Sequence, residues 1–206
     1  MTSFTPSELD NRGLYGFFTS AVIPRPIAFV STVDLQGNVN LAPFSYFNMV
    51  STRPPLMLFA PVRLSREGRQ KDTYENVKAV PECVIHICNF AVVEQMNATS
   101  KAFPPEVDEM QATGLTPVPS DLVRPPRVQE CPIAFECRVT QVIELGESGG
   151  AGSLVLCEIL KIHADENILD EQGRVQPEKL DAVARLGGNQ YLRITKDAIF
   201  ELPRPL

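Results

Sequence analysis

Between residues 133 and 145 the chain alternates apolar and polar side chains. Ile133, Phe135, Cys137, Val139, Ile143 and Leu145 take odd positions, with Gln141 among them, while Glu136, Arg138, Thr140 and Glu144 take even ones. A period of two belongs to a β-strand with one buried face. A Gly-rich loop over residues 146–153 follows. Residues 154–162 are then apolar on both faces except at Glu158 and Lys161, as a central barrel strand would be. The two segments are expected to pair as a long antiparallel hairpin.

The remaining apolar runs are short. Residues 27–33 read as a strand, Asp34-Leu35-Gln36-Gly37-Asn38 as a turn, and residues 39–44 as its return. Residues 56–60 and 83–88 are further strands. The 18 prolines fall largely between such runs, which favours many short elements joined by rigid turns. Three short helices are expected. Asp72, with Glu75 three residues on, resembles a capping box opening a helix that runs to about Ala79, before Pro81. A second runs from about Pro105 to just before Gly114. A third covers residues 177–186, burying Leu180, Val183 and Ala184, with Gly187 in the left-handed C-terminal position. Strands dominate, helices are peripheral and no βαβ rhythm appears. The fold class is therefore mainly β, an antiparallel barrel or sandwich with helical additions. Residues 1–206 read as one domain, with the Pro-rich residues 116–127 as an ordered surface loop.

Charge and composition exclude several functions. The net charge is −6 and the basic residues are scattered, which argues against a nucleic-acid partner. No apolar run approaches the ~20 residues of a membrane-spanning helix. Residues 1–10 lack a basic n-region and an apolar h-region, so a cytoplasmic protein is expected, and Asn97-Ala98-Thr99 reads as a chance sequon. Five cysteines without a CxxC pair, and two histidines, cannot assemble Cys/His zinc spacing, and no metal is expected. Cys83, Cys137 and Cys157 sit in apolar runs and read as reduced core residues.

No GxGxxG, GxxxxGK[ST] or GxSxG motif is present. His86 lies in an apolar run and reads as a core or rim residue. His163 ends a strand near a rim, and nothing marks either as a general base. Three segments stand out. Residues 24–32 end in Ser31 and Thr32, which could offer hydroxyls and N–H groups to a flat polar edge; alone, the segment reads as an edge strand entering a turn. Residues 40–48 mix Ala42, Pro43 and Ser45 with Phe44, Tyr46 and Phe47, suiting either a planar ring or a loop capped by core aromatics. Arg63, Ser65, Arg66, Arg69, Lys71, Asp72 and Thr73 precede or open a helix, whose N-terminus suits a phosphate. Asp72 could fill that cap itself, and a solvated basic loop is the alternative.

In this order the segments resemble the flavin reductase-like FMN-binding family. The pattern runs PRPIA and VST over residues 24–32, a turn at Gly37, NLAPFS with Phe47, then VS and PP over residues 50–55, and KDT with Asn76. It continues in Asp108-Glu109, residues 132–137, and Ala184-Arg185-Leu186-Gly187-Gly188 with Tyr191. The resemblance implies a split β-barrel of Greek-key type, a homodimer, and FMN at or near the interface, with FAD in some relatives. By that similarity Ser31 and Thr32 contact the isoalloxazine side. Ala42, Pro43, Phe44, Ser45 and Tyr46 line the ring. Ser65, Lys71 and Thr73 hold the phosphate beside Asp72, with Arg63 a weaker candidate. Arg185 and Tyr191 complete the pocket, from this chain or a second copy. The implied activity is NADH- or NADPH-dependent reduction of flavin or another acceptor. The alternative is an FMN-binding electron carrier with little reductase activity of its own.

Overall fold

The computed structural model describes residues 1–64, 69–101, 103–104 and 107–205. Twelve strands occur in chain order. They are β1 (Arg25–Pro26), β2 (Ala28–Val33), β3 (Val39–Phe44), β4 (Phe47–Thr52), β5 (Pro55–Phe59) and β6 (Glu82–Ile87). Then come β7 (Pro117–Val118), β8 (Arg127–Val128), β9 (Ile133–Glu144), β10 (Ser153–Ala164), β11 (Val183–Arg185) and β12 (Tyr191–Arg193). Five α-helices flank them: α1 (Asn11–Ala21), α2 (Asp72–Ala79), α3 (Val93–Ala98), α4 (Glu109–Ala112) and α5 (Pro177–Leu180). Among the described residues no helix is long and apolar enough to cross a membrane.

One seven-stranded antiparallel sheet has the order β3-β2-β6-β9-β10-β5-β4. Its two edges, β3 and β4, are joined only by Ser45 and Tyr46. Six strand spacings would hold the edges of a flat sheet about 29 Å apart. The chain from residue 44 to 47 reaches roughly 11 Å at most. The sheet must therefore curl until its edges meet. No ladder pairs β3 with β4 among the described residues, so the barrel stays open along that seam. This is a split barrel with Greek-key strand order.

Two apolar layers follow from the curl. Ala28, Val30, Phe59, Cys137, Val155 and Cys157 fill the barrel. Phe29, Leu41, Met96, Met110 and Val128 form a second cluster, so β2 is buried along its whole length. The β9–β10 hairpin forms as expected, but its alternation does not run straight through. Thr140 is an extra residue between the Val139–Cys157 and Gln141–Leu156 pairs. Beyond this bulge the inward phase switches, so Val142 packs on the core while Ile143 and Leu145 are exposed. Leu160 and Ile162 at the far end of β10 are likewise exposed rather than enclosed.

Glu136 corrects the reading of its face as solvated, because it is fully buried. Its Oε1 accepts from Asp121 N–H (2.8 Å) and its Oε2 from Leu122 N–H (2.6 Å). His163 Nε2 lies 2.6 Å from Oε1. Burial pushes this carboxyl up, but the two N–H groups and His163 outweigh it and hold it below the ordinary range. The Pro-rich loop is thereby pinned over the sheet. His86 anchors the same region, as Nδ1–H donates to Phe29 O (2.8 Å) and Nε2 accepts from Val128 N–H (2.9 Å).

The helices depart further from expectation. α2 begins one residue earlier than the capping box implies, with Lys71 as N-cap and Asp72 already helical. Lys71 O, not an Asp72 side chain, receives Tyr74 N–H and Glu75 N–H. Pro105, the expected start of the second helix, lies outside the described residues. α4 starts at Glu109, capped by the Asp108 carboxylate on Met110 N–H and Gln111 N–H. α5 stops at Leu180, where Asp181 takes the left-handed turn (φ 52°). Val183 and Ala184 then join a three-stranded sheet, β1-β11-β12, instead of extending the helix. Gly187 serves close approach rather than capping, because a Cβ there would lie 2.3 Å from Ser20 Oγ. α1 and α3 have no counterpart in the sequence reading; α1 buries only Thr19, although Leu14, Phe18 and Ala21 fall at helical spacing along it.

Burial pushes His86 down to about 4 from its ordinary 6.5. A depressed folded-state value means that stability is full above pH 6.5 and drains as pH falls toward 4, by roughly 3 kcal/mol. Urea denaturation of the wild type and His86→Gln across pH 4–8 checks this. The wild-type curve should fall more steeply between pH 6.5 and 4, and parallel curves would rule the account out.

Candidate functional site

The open seam leaves β3 as an edge strand. Its outward backbone groups are identified by Leu41, whose N–H donates away from β2 to Glu109 Oε2 (2.9 Å). Alternation makes position 43 outward as well. Pro43 has no N–H to lose there, so it sits in the strand without breaking the ladder. Three clefts run along this edge over residues 40–46.

The first cleft, about 140 Å³, lies where β3 meets the start of α2. Asn40, Ala42, Pro43, Lys71, Asp72 and Thr73 contribute to its wall. Asn40 Nδ2 donates to Thr73 Oγ1 (2.8 Å), and Asn76 Nδ2 donates to Thr32 Oγ1 (3.1 Å), so α2 is fastened to β2 and β3 by side-chain amides. No side chain caps α2 among the described residues, and Asp72 instead faces Arg69 at 3.9 Å. Lys71 O takes the Tyr74 and Glu75 N–H groups, so the Asp72 and Thr73 N–H groups and the helix's partial positive charge are left without a side-chain cap beside the cleft. Arg69, Lys71 and Lys101 line it against the carboxyls of Asp72 and Glu109.

The second cleft, about 160 Å³, shares Pro43 and Ser100 with the first and adds Ser45, Asn97, Arg185 and Tyr191. Tyr191 Oη donates to Asn97 Oδ1 (3.1 Å), and the Arg185 guanidinium lies 4.5 Å from the Tyr191 ring centroid. The third, about 610 Å³, shares Ser45 and is largely apolar, with Phe18, Tyr46 and Phe47 in its wall. Burial pushes the Tyr46 hydroxyl above its ordinary range; Tyr15 adds to this and Arg25 opposes it.

Arg25 holds this end together. It is 6% exposed. Its Nη1 donates to Thr19 O (2.5 Å) and Val22 O (2.8 Å), Nη2 to Leu186 O (2.9 Å) and Nε to Ser45 Oγ (3.4 Å). One guanidinium thus ties the end of α1 and the turn after β11 to the seam.

The structure brings together Ala42, Pro43, Ser45, Tyr46, Lys71, Asp72, Thr73, Arg185 and Tyr191 along one groove. It places four other candidates elsewhere. Ser31 is fully buried and donates to Pro126 O (2.6 Å). Thr32 is fully buried behind Asn76. Phe44 points into the barrel, 5.2 Å from Phe59. Arg63 turns to the β9–β10 hairpin, donating to Gly146 O (3.1 Å) and Glu144 (3.2 Å). Ser65 lies outside the described residues. Arg25 and Glu109 lay within the sequence motifs but were given no role there, and Asn97 and Ser100 were given none either. Arg25 stood between two prolines and Glu109 beside Asp108, with no periodicity to aim either inward.

A larger cavity of about 1080 Å³ lies elsewhere, bordered by Arg127, His163 and Lys179. It has no residue in common with the groove, and none of the segments that stand out in the sequence line it apart from its wall at Ala134 and Pro132.

A split barrel with a long groove along its seam defines a class of ligand-binding protein. The sequence matches the flavin reductase like domain over residues 19–179. It is 36% identical to the uncharacterized protein YwrF of Bacillus subtilis, covering 100% of both chains. Nitrilotriacetate monooxygenase component B from Bacillus cereus superposes with a TM-score of 0.91 at 35% identity, covering 98% of each chain. The 2-nitrobenzoate 2-nitroreductase NbaA of Pseudomonas fluorescens gives 0.87 at 30% identity, covering 100% of this chain and 98% of that one. The chain belongs to the flavin reductase-like family.

Removing the Arg25 side chain leaves three backbone carbonyls without their donor, with the Thr19 one in a buried position. Arg25→Ala should lower stability by about 2–4 kcal/mol. Limited proteolysis should also cut within residues 11–23 well before the barrel. Unchanged protection of α1 would show that Arg25 does not fasten it.

Proposed function

We propose that this chain is a flavoprotein oxidoreductase that binds FMN along β3, accepts reducing equivalents from NADH or NADPH, and passes them to flavin or another acceptor. The observation that carries the reading is the uncapped, cation-lined start of α2 at one end of a groove whose floor is an unpaired strand edge. Charge-assisted bonds from Lys71 and N–H groups at a helix start suit a phosphate. Outward backbone groups of β3 suit the polar edge of a planar ring, and the apolar walls near Ser45 and Tyr46 suit its faces. Residues 40–45 extend over roughly 17 Å, enough for a tricyclic ring and its phosphorylated side chain. Bound flavin would supply the hydride and electron exchange, while the chain binds, orients and excludes water.

Two of the similar structures suggest acceptor classes. One is a component of a monooxygenase, the other a nitroreductase. The seam is also where a second copy could cover the flavin, and a homodimer is part of this proposal. Sedimentation should then show a dimer in the flavin-loaded protein.

The visible spectrum of the purified chain, followed without oxygen as NADH and then NADPH are added, tests the reading. A flavin spectrum that bleaches is expected. One that stays oxidised would favour a carrier reduced by another protein, and no flavin uptake at all would overturn the proposal. Lys71→Ala should weaken FMN binding about tenfold to a hundredfold while sparing riboflavin, which lacks the phosphate. Equal losses would remove Lys71 from the phosphate site.

A further inference from the structure

Glu109 stands in the first cleft beside Lys71 and Thr73, yet the chemistry above makes no use of it. It is the first residue of α4, it is 8% exposed, and its Oε2 is occupied by Leu41 N–H. The Glu109 N–H also bears on its carboxylate, and among the described residues no other residue donates to the second oxygen, Oε1. Among the described residues, the charged groups of this cleft are Arg69 and Lys71 before α2, Asp72 at its start, Lys101 after α3, and Glu109 itself. Asp108 lies next to it in sequence. Burial pushes the Glu109 carboxyl above the ordinary range; the Leu41 N–H and the Glu109 N–H oppose it, and Asp108 and Asp72 push the same way as burial.

A phosphate that fills a cleft of about 140 Å³ comes close to every group on its wall. A buried carboxylate and a phosphate dianion at such range repel strongly, because little water separates them. A neutral carboxyl reverses the interaction. It keeps its carbonyl oxygen for Leu41 N–H and offers an O–H to a phosphate oxygen.

We propose that Glu109 couples phosphate binding to proton uptake: the cleft takes the FMN phosphate with Glu109 neutral, the proton moving from solvent onto Oε1. This rests on the assignment of the phosphate to this cleft. Glu109 is then a specificity-determining residue. It makes the preference for FMN over riboflavin a function of pH, without touching the reacting ring.

The sign is distinctive. Proton uptake means that FMN affinity falls as pH rises, by about tenfold per pH unit at most for one linked proton. The phosphate's own second ionisation, near pH 6, has the opposite effect in a cationic cleft. FMN and riboflavin affinities are measured by calorimetry from pH 5 to 9 on the full chain, wild type and Glu109→Gln, in two buffers of different ionisation heat. The wild type should show falling FMN affinity and uptake of up to one proton, with riboflavin flat. Glu109→Gln, whose amide oxygen can still accept from Leu41, should bind FMN without that fall. If the fall persists in Glu109→Gln, or the wild type takes up no proton on binding FMN, the proposal is overturned. Should the variant fail to fold, the wild-type proton count decides alone. If FMN and riboflavin bind equally at the acid end of the range, the phosphate is not in this cleft, and the site assignment fails separately from the role of Glu109.

Discussion

The two residues between β3 and β4 govern the molecule. They join opposite edges of a seven-stranded sheet, and a connection that short cannot span a flat sheet. The sheet closes into a barrel, yet its edge strands do not pair. The seam that remains leaves the outer edge of β3 unpaired by any strand, and an unpaired strand edge carries N–H and C=O groups that need partners. Leu41 finds Glu109, and Pro43 removes one donor altogether. What is left faces a groove bounded by α2 at one end and α1 at the other.

Polar groups are used differently inside the fold and at this groove. Within the fold three buried groups beneath the Pro-rich segment are paired off. Glu136 takes two loop N–H groups and His163, His86 bridges Phe29 and Val128, and Ser31 reaches Pro126. All three fix the Pro-rich segment and its short β7–β8 pairing over the sheet. At the groove, the start of α2 has no side-chain cap and Lys71 lies in the wall. The rigid scaffold and the open site are thus complementary results of the same burial rule.

Much of this was legible before any coordinates. The period-two run located β9 and β10, and the Asp34 turn with Gly37 at φ 89° located the β2–β3 hairpin. The ordered motifs pointed to the family. Where the reading slipped, a tertiary contact outweighed a local pattern. The Thr140 bulge switched the face of β9. Pairing of Val183 and Ala184 with β12 shortened α5. Ser31 and Thr32 looked available because they are small and polar, but both faces of β2 are covered. α1 was passed over although Leu14, Phe18 and Ala21 fall at helical spacing; in the fold that stripe is not buried, and Arg25 fastens the helix end.

The sequence by itself determined the strand content, the barrel class and the family, because alternation and turn residues are local and survive without knowledge of neighbours. It also named eight of the groove's wall residues through the motif over residues 40–46 and the KDT segment. Only the tertiary structure decided which strand became the free edge, which hydroxyls are buried in the fold, and that Arg25 and Glu109 line the groove. Those outcomes depend on contacts between residues far apart in the chain, such as Leu41 with Glu109 and Arg25 with Leu186. Periodicity carries no information about such contacts, since it fixes the face a side chain takes but not what that face meets.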